Sequence, residues 1–207
     1  MPGILDVFEV KVFKDDYQRN FFDTTTFPEI VAIVGNSTWE VMQAKKNLAV
    51  EWENEPESSF EMAGFGGRGS SKITVPAGLE KTRSHKERMA EYIQKPGTVV
   101  RKDGDPEGAF KKAAKILEKT YTAPFLAHNT MEPMNCFADV KADQAVIYGP
   151  TQAPEFIMNT LSSSLEMPKE KIQINLARMG GGFGRRAYAH HMVEAALISK
   201  KIQAPVK

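Results

Sequence analysis

A glycine-rich run near the C-terminal end restricts the fold more than any other stretch. Residues 178–186 read Arg-Met-Gly-Gly-Gly-Phe-Gly-Arg-Arg and hold four of the 15 glycines. An apolar, strand-like run at 172–177 precedes them, and a helical pattern at 189–199 follows. Glycines in a strand-to-helix turn allow positive φ angles and let backbone N–H groups approach a ligand. The flanking arginines favour an anion such as a phosphate or an oxo-metal centre. An ordinary surface turn is the alternative interpretation.

Composition limits the other possibilities. The sequence has 207 residues, of which 42% are hydrophobic and 26% charged, as is typical of a globular protein of one or two domains. A formal net charge of +1 argues against nucleic-acid or membrane-surface binding. No 18-residue apolar run is present, so we expect a soluble chain. The single cysteine, Cys136, excludes an intrachain disulfide and a cysteine-rich iron–sulfur or zinc site.

Hydrophobic periodicity predicts a mixed α+β fold. The spacing of Ser37 and Glu40 predicts a capping box, and Asp105 followed by Pro106 predicts a second helix start. Residues 53–78 are polar and glycine-rich, which predicts a linker or mobile loop with disorder around 64–71. A G-x-G-x-x-G match at 64–69 lacks its flanking strand and helix, so we do not interpret it as a dinucleotide site. Strands are predicted at 7–13, 29–34, 49–52, 121–127, 135–140, 145–149 and 171–177, and helices at 37–47, 79–94, 105–117, 154–165 and 189–199.

The order of the motifs resembles a known family. Gly-Gly-Gly-Phe-Gly-Arg-Arg after a strand is similar to the cofactor loop of the molybdenum hydroxylases, the xanthine dehydrogenase and aldehyde oxidase family. With its doubled arginine, the loop is most similar to that of the beta subunit of isoquinoline 1-oxidoreductase and of related membrane-associated aldehyde dehydrogenases of bacteria. Further segments occur in the family's order, and residues 30–52 resemble its hammerhead domain. These segments are Gly104-Asp105 with Ala109-Phe110 and Ala113-Ala114, His128 with Met131-Glu132-Pro133, and Pro150-Thr151-Gln152-Ala153-Pro154.

The resemblance implies three parts. These are a partial hammerhead-like domain at 1–55, a linker with a charged helix at 56–104, and the N-terminal part of an aldehyde oxidase/xanthine dehydrogenase molybdopterin-binding domain at 105–207. Large subunits of the family are several times longer. The sequence is therefore expected to be a fragment that alone binds no cofactor and turns over no substrate.

The resemblance also implies which residues contact the cofactor. The amide of Gln152 would lie beside the oxo group of molybdenum and the pterin, and the loop N–H groups would face the same oxo ligand. We predict that Gln152 and the loop lie at one edge of the sheet, separated by a polar gap. The two arginines are candidates for binding the cofactor's phosphates or orienting a substrate. The implied cofactor-binding set is Gln152, Gly181, Gly182, Phe183, Gly184, Arg185 and Arg186.

The implied chemistry is hydroxylation of an aldehyde or aza-aromatic carbon with oxygen derived from water. Its cofactor would be a molybdopterin dinucleotide carrying molybdenum, and the electrons would pass to the iron–sulfur clusters of a separate small subunit. The substrate and the final electron acceptor are not determined. Ala187 stands where purine-oxidising members have a glutamate, which disfavours purines. We predict no catalytic residue, because the family's catalytic glutamate would lie beyond Lys207. We also predict no protein metal ligand.

Several alternatives stay open at this point. The bacterial compartment, cytoplasm or periplasm, is not determined. The glycine loop is also compatible with a nucleotide-phosphate-binding module without redox chemistry, or with a purely structural role. His128 and Glu132 have i, i+4 spacing, but Pro133 opposes a helix there. We therefore predict that they form a hydrogen-bonded structural pair rather than a metal site.

Overall fold

The chain contains both helices and strands. The computed structural model describes residues 1–14, 17, 27–53, 56–63, 69–78, 81–188 and 190–207. Within these ranges the chain forms an α+β fold, as predicted. The contacts within the chain divide it into two compact units. The domain boundaries expected at residues 55 and 104 stay a prediction. The first unit comprises Met1–Glu53, Ser58–Val75 and His128–Lys207, and the second comprises Asn54–Glu57 and Pro76–Ala127.

The first unit begins with an antiparallel strand pair and a helix. Strand β1 (Ile4–Lys11) pairs with β2 (Glu29–Gly35), and helix α1 (Thr38–Asn47) follows. The predicted helix start is confirmed, because Ser37 is the N-cap and its Oγ accepts the Glu40 N–H at 3.3 Å. The Glu40 carboxylate accepts from the Ser37 hydroxyl at 2.7 Å, so only the N-cap half of the predicted capping box is seen.

The strand predicted at 49–52 is wrong, since these residues are exposed and form no regular structure. A short apolar run becomes a strand only where a partner strand is available. The expected β–α–β piece is therefore a strand pair with a helix after it. The hammerhead assignment of this piece stays a prediction.

A hairpin replaces part of the predicted mobile loop. Strand β3 (Ser58–Ala63) pairs antiparallel with β4 (Ser70–Val75), and Phe60 lies opposite Ile73. In the other pairs at least one residue is polar, so this apolar cross-strand pair stabilises the hairpin. The expected disorder and the G-x-G-x-x-G match fall largely on 64–68, which lie outside the described residues.

The second unit contains two helices and an extended segment. Helix α2 spans Thr82–Tyr92 and α3 spans Pro106–Lys112. Asp105 caps α3 as predicted, with Oδ1 accepting the Gly108 N–H at 3.0 Å. The predicted extension of α3 to 117 and the strand at 121–127 are both wrong, because residues 113–127 contain neither helix nor strand. Their apolar side chains are exposed within this unit, so no packing selects a regular conformation.

A three-stranded sheet forms the centre of the first unit. Strands β5 (Phe137–Val140), β6 (Ala145–Gly149) and β7 (Ile172–Leu176) lie in that order. Strand β6 runs antiparallel to β5 and parallel to β7, with α4 (Pro154–Leu165) as the crossover between the parallel strands. The carboxyl ends of β6 and β7 therefore lie at the same edge.

Two helices cover this sheet. Helix α5 (His190–Ile202) packs with α4 against the strands, and burial of their apolar side chains stabilises the unit. Among the described residues, no helix is long and apolar enough to cross a membrane. The apolar residues with no measurable exposure are Ala138, Ile147, Ile157, Leu161, Met192, Val193 and Ala196.

Candidate functional site

Two turns leave the same edge of the sheet. One follows β6 at Gly149, and the other follows β7 and contains the glycine loop, residues 180–184. The Ala177 N–H donates to the Gly149 carbonyl at 3.2 Å, which extends the pairing of β6 and β7 by one bond. The predicted placement at the carboxyl ends of two parallel strands is confirmed. Ligands collect at this position in parallel sheets.

Gln152 bonds directly to the glycine loop. Its side-chain Oε1 accepts the Gly184 N–H at 3.0 Å, and its backbone N–H donates to the Arg186 carbonyl at 3.0 Å. The prediction that Gln152 faces the loop is confirmed. The predicted gap between them is wrong, because the carboxamide oxygen is close enough to use the Gly184 donor itself. With Oε1 engaged, the amide NH₂ is the group left to donate to a ligand.

Thr151 is a residue that sequence reasoning missed. Its hydroxyl donates to the Arg186 carbonyl at 2.9 Å and accepts the Ala153 N–H at 3.2 Å. The side chain is buried. Thr151 and Gln152 together hold the end of the loop on the β6 turn, and a short polar residue after a strand is the signal that could have identified it.

The loop backbone has a conformation that suits glycine. Gly181 has φ +99° and Gly184 has φ +85°, and between them Phe183 has φ +49°. A non-glycine residue in the left-handed region costs about 1–2 kcal/mol, and such strain concentrates at functional sites. A Cβ on Gly182 would lie 2.5 Å from Gln152 Oε1, so only glycine permits this close approach.

Three backbone donors of the loop are free. In the described part of the chain, the N–H groups of Gly181, Gly182 and Phe183 make no hydrogen bond. Gly182 is buried, and buried N–H groups without a partner are rare. The free groups thus form a set of donors suited to an acceptor-rich ligand.

The two arginines that follow the loop donate to backbone carbonyls of one segment, residues 128–132. Arg185 Nη1 donates to the His128 carbonyl at 2.9 Å. Arg186 has no exposed side-chain surface, and its Nη2 donates to the Glu132 carbonyl at 2.8 Å. Arg186 Nε and Nη1 are buried without a partner.

Glu132 joins Arg186 to the start of the loop. Its Oε2 lies 3.1 Å from Arg186 Nη2 and accepts the Gly180 N–H at 2.7 Å. The predicted pair of His128 and Glu132 is wrong, because the carboxylate is used by Arg186 and Gly180. Sequence spacing gave no sign of this contact, which joins residues far apart in the chain.

Burial determines the protonation state of three titratable groups on or beside helix α5. Burial, followed by the neighbouring His190, lowers the pKa of His191 to about 4, so its imidazole is neutral near pH 7. Burial raises the pKa of Glu194 to about 7, and burial followed by Glu194 raises that of the Cys136 thiol to about 12. Cys136 is therefore not a thiolate nucleophile. No cluster of metal-binding side chains occurs among the described residues.

Comparison with known proteins gives one family match and several relatives. Residues 86–207 match the family of molybdopterin cofactor-binding domains. A membrane-bound aldehyde dehydrogenase (pyrroloquinoline-quinone) of Gluconacetobacter polyoxogenes is 28% identical over 178 residues, covering 86% of this chain and 21% of that protein. A nicotinate dehydrogenase large molybdopterin subunit of Eubacterium barkeri is 28% identical over 196 residues, covering 93% of this chain and 40% of that protein.

A solved structure supports the fold. The quinoline 2-oxidoreductase of Pseudomonas putida 86 superimposes with a TM-score of 0.56 at 15% identity, covering 100% of this chain and 27% of that one. The chain therefore spans less than half the length of each of these relatives.

Proposed function

The chain belongs to the family of molybdopterin cofactor-binding domains, and from this premise we propose that the glycine loop and Gln152 form one side of the cofactor site of a molybdenum hydroxylase. The observation that carries the proposal is the 3.0 Å bond from the Gly184 N–H to Gln152 Oε1. It joins two motifs, 32 positions apart, that separately resemble the family's cofactor contacts.

The chemistry of the donors fits this cofactor. Oxo, dithiolene and phosphate groups accept hydrogen bonds, and the loop offers the free N–H groups of Gly181, Gly182 and Phe183. The NH₂ of Gln152 adds a donor without adding charge. Fixed donors that need no reorganisation stabilise developing negative charge most effectively.

Individual residues then take distinct roles. The Gly184 N–H orients the carboxamide of Gln152, so that its NH₂ faces the cofactor. Arg185, which is partly exposed, is the candidate for a phosphate of the cofactor. Arg186 is fully buried, and it would support the loop from beneath. When bound, the cofactor supplies the two-electron oxidation of the substrate carbon, and its form is proposed to be a molybdopterin dinucleotide.

The activity of the whole protein is part of the same proposal. We propose hydroxylation of an aldehyde or aza-aromatic carbon with water-derived oxygen, and electron transfer to a small iron–sulfur subunit. The names of the relatives, an aldehyde dehydrogenase and a nicotinate dehydrogenase, support both substrate classes. Ala187 leaves no carboxylate at the position where the purine-oxidising members have one. The 207-residue chain alone is expected to bind no cofactor.

The test is the cofactor content of the full-length protein that carries this chain. Purified protein is analysed for molybdenum by mass spectrometry and for pterin by fluorescence after oxidation. We expect both in stoichiometric amounts, and at least about tenfold less in Gln152→Leu, whose side chain cannot donate. Gln144→Leu is the matched control. Gln144 is an exposed glutamine just before the first residue of β6, at the end of the strand away from the site. Pyrroloquinoline quinone or a nucleotide without molybdenum would contradict the proposal.

A further inference from the structure

Glu132 lies outside the segments assigned to the cofactor, yet it contacts the glycine loop at its first residue. Its Oε2 accepts the Gly180 N–H at 2.7 Å, in the range of charge-assisted bonds. A Cβ on Gly180 would lie 2.7 Å from Glu132 Cβ, so the loop backbone passes directly over this side chain.

The same carboxylate is tied to the end of the loop. Oε2 lies 3.1 Å from Nη2 of Arg186, whose side chain has 0% exposure, against 30% for Glu132. The Arg186 carbonyl in turn accepts from Thr151 Oγ1 and from the Gln152 N–H. Glu132, which is half-buried, thus connects Gly180 at the start of the loop with the buried Arg186 after it, and Arg186 in turn contacts the β6 turn.

The segment that carries Glu132 is itself held in place. Residues 128–136 contain no helix or strand. The Thr130 hydroxyl donates to the Glu132 carbonyl at 2.6 Å, and Thr130 is buried. The same carbonyl accepts from Arg186, which completes the connection through the backbone as well as through the side chain.

We propose that Glu132 is a positioning residue of the cofactor site, which fixes the glycine loop by accepting the Gly180 N–H while its charge neutralises Arg186. The bond to Gly180 sets where the loop leaves β7, and the ion pair sets where it returns to the β6 turn. The free donors of Gly181, Gly182 and Phe183 lie between these two fixed points. The consequence for cofactor retention rests on the function proposed above.

Two neutral variants of similar length separate the two contacts. Glu132→Gln and Glu132→Met both remove the charge beside Arg186, but only glutamine keeps an oxygen that can accept the Gly180 N–H. A role limited to neutralising Arg186 would affect both alike. Asp139→Asn is the control, because it also removes the charge of a half-buried carboxylate that is paired with a cation. Asp139 lies on β5, its side chain has 24% exposure, and its Oδ2 lies 3.6 Å from Lys141 Nζ.

The first readout is amide hydrogen exchange at single residues, measured by mass spectrometry with fragmentation on the full-length protein. We expect exchange of the Gly180 amide to rise at least about tenfold in Glu132→Met relative to Glu132→Gln, after correction for global stability. The Ala177 amide, which bonds to Gly149, should not differ between them. Equal exchange at Gly180 in both variants would overturn the proposal.

The second readout is the molybdenum retained after gel filtration. It should follow the order wild type, Glu132→Gln, Glu132→Met, with Asp139→Asn at the wild-type level. Equal retention in the two Glu132 variants would overturn the positioning role. If the wild-type protein contains no molybdenum cofactor, the proposed function fails, whereas the exchange of Gly180 still decides whether Glu132 positions the loop.

Discussion

A methyl group at Gly182 probes the contact between Gln152 and the loop. In Gly182→Ala the new Cβ would lie 2.5 Å from Gln152 Oε1, 2.6 Å from its Cδ and 2.9 Å from Met179 Sδ. Atoms cannot remain at these distances. Gln152 is exposed and long, so its side chain can rotate away, and the steric cost is small. What is lost is the Gly184–Gln152 bond, worth about 1 kcal/mol net.

This reasoning predicts coupling between the two positions. Gly182→Ala should lower the free energy of unfolding by about 1 kcal/mol in the wild type. In a Gln152→Ala background the bond and the clash are both absent, so the cost should fall to a few tenths, a coupling energy of about 1 kcal/mol. Met179 is flexible enough to move in either background.

The assay is urea unfolding of the two single variants, the double variant and the wild type. Gly104→Ala is a control, since Gly104 has φ +70° and its added Cβ would meet nothing within 4 Å. That change should cost about 1 kcal/mol from backbone strain in both backgrounds. Equal costs of Gly182→Ala with and without Gln152 would refute the contact.

Three further predictions concern stability and reactivity. Because burial raises the pKa of Glu194 from 4.5 to about 7, the folded state binds the extra proton between these values and loses stability as the pH rises through them. The free energy of unfolding of Glu194→Gln, relative to that of the wild type, should therefore increase by about 3 kcal/mol from pH 4 to pH 8. Urea unfolding measures it, and a difference that does not change with pH would contradict the prediction. Cys136, with a thiol pKa of about 12 and 4% exposure, should react at pH 8 roughly 1,000-fold more slowly with a thiol reagent in the folded than in the urea-unfolded protein. Ser37→Ala should cost about 1 kcal/mol of stability and Ser37→Gly only a few tenths, because glycine is tolerated at a helix N-cap; equal costs would exclude a capping role.

The parts of the fold that could be predicted are those encoded locally. Helix α4 has the predicted bounds, because Pro154 sets its first turn and its apolar residues keep helical spacing. The edge of the sheet at which the site lies could be predicted, because the sequence shows two strands that are each followed by a turn and a helix. The parallel pairing of β6 and β7 then brought the turns together. The membership in the molybdopterin-binding family is likewise confirmed, whereas the specific similarity to isoquinoline 1-oxidoreductase stays a prediction.

The features that could not be predicted depend on contacts between distant residues. The apolar runs at 49–52 and 121–127 have strand-like composition but no partner in the described structure. From the sequence, Arg186 is expected to be an anion-binding residue at the surface. It is instead completely buried and paired with Glu132, which lies far away in the chain. The direct bond between Gln152 and Gly184 requires that the Gly184 nitrogen and Gln152 Oε1 lie 3.0 Å apart. No sequence pattern specifies a distance between atoms so far apart in the chain.

The most direct test of the cofactor site is a crystal structure of the full-length protein recorded at the molybdenum absorption edge. We expect one anomalous peak on the side of the glycine loop where the N–H groups of Gly181, Gly182 and Phe183 are free, with the NH₂ of Gln152 directed toward the same ligand. A molybdenum peak bound elsewhere, with Gln152 and the loop facing only solvent or protein, would contradict it.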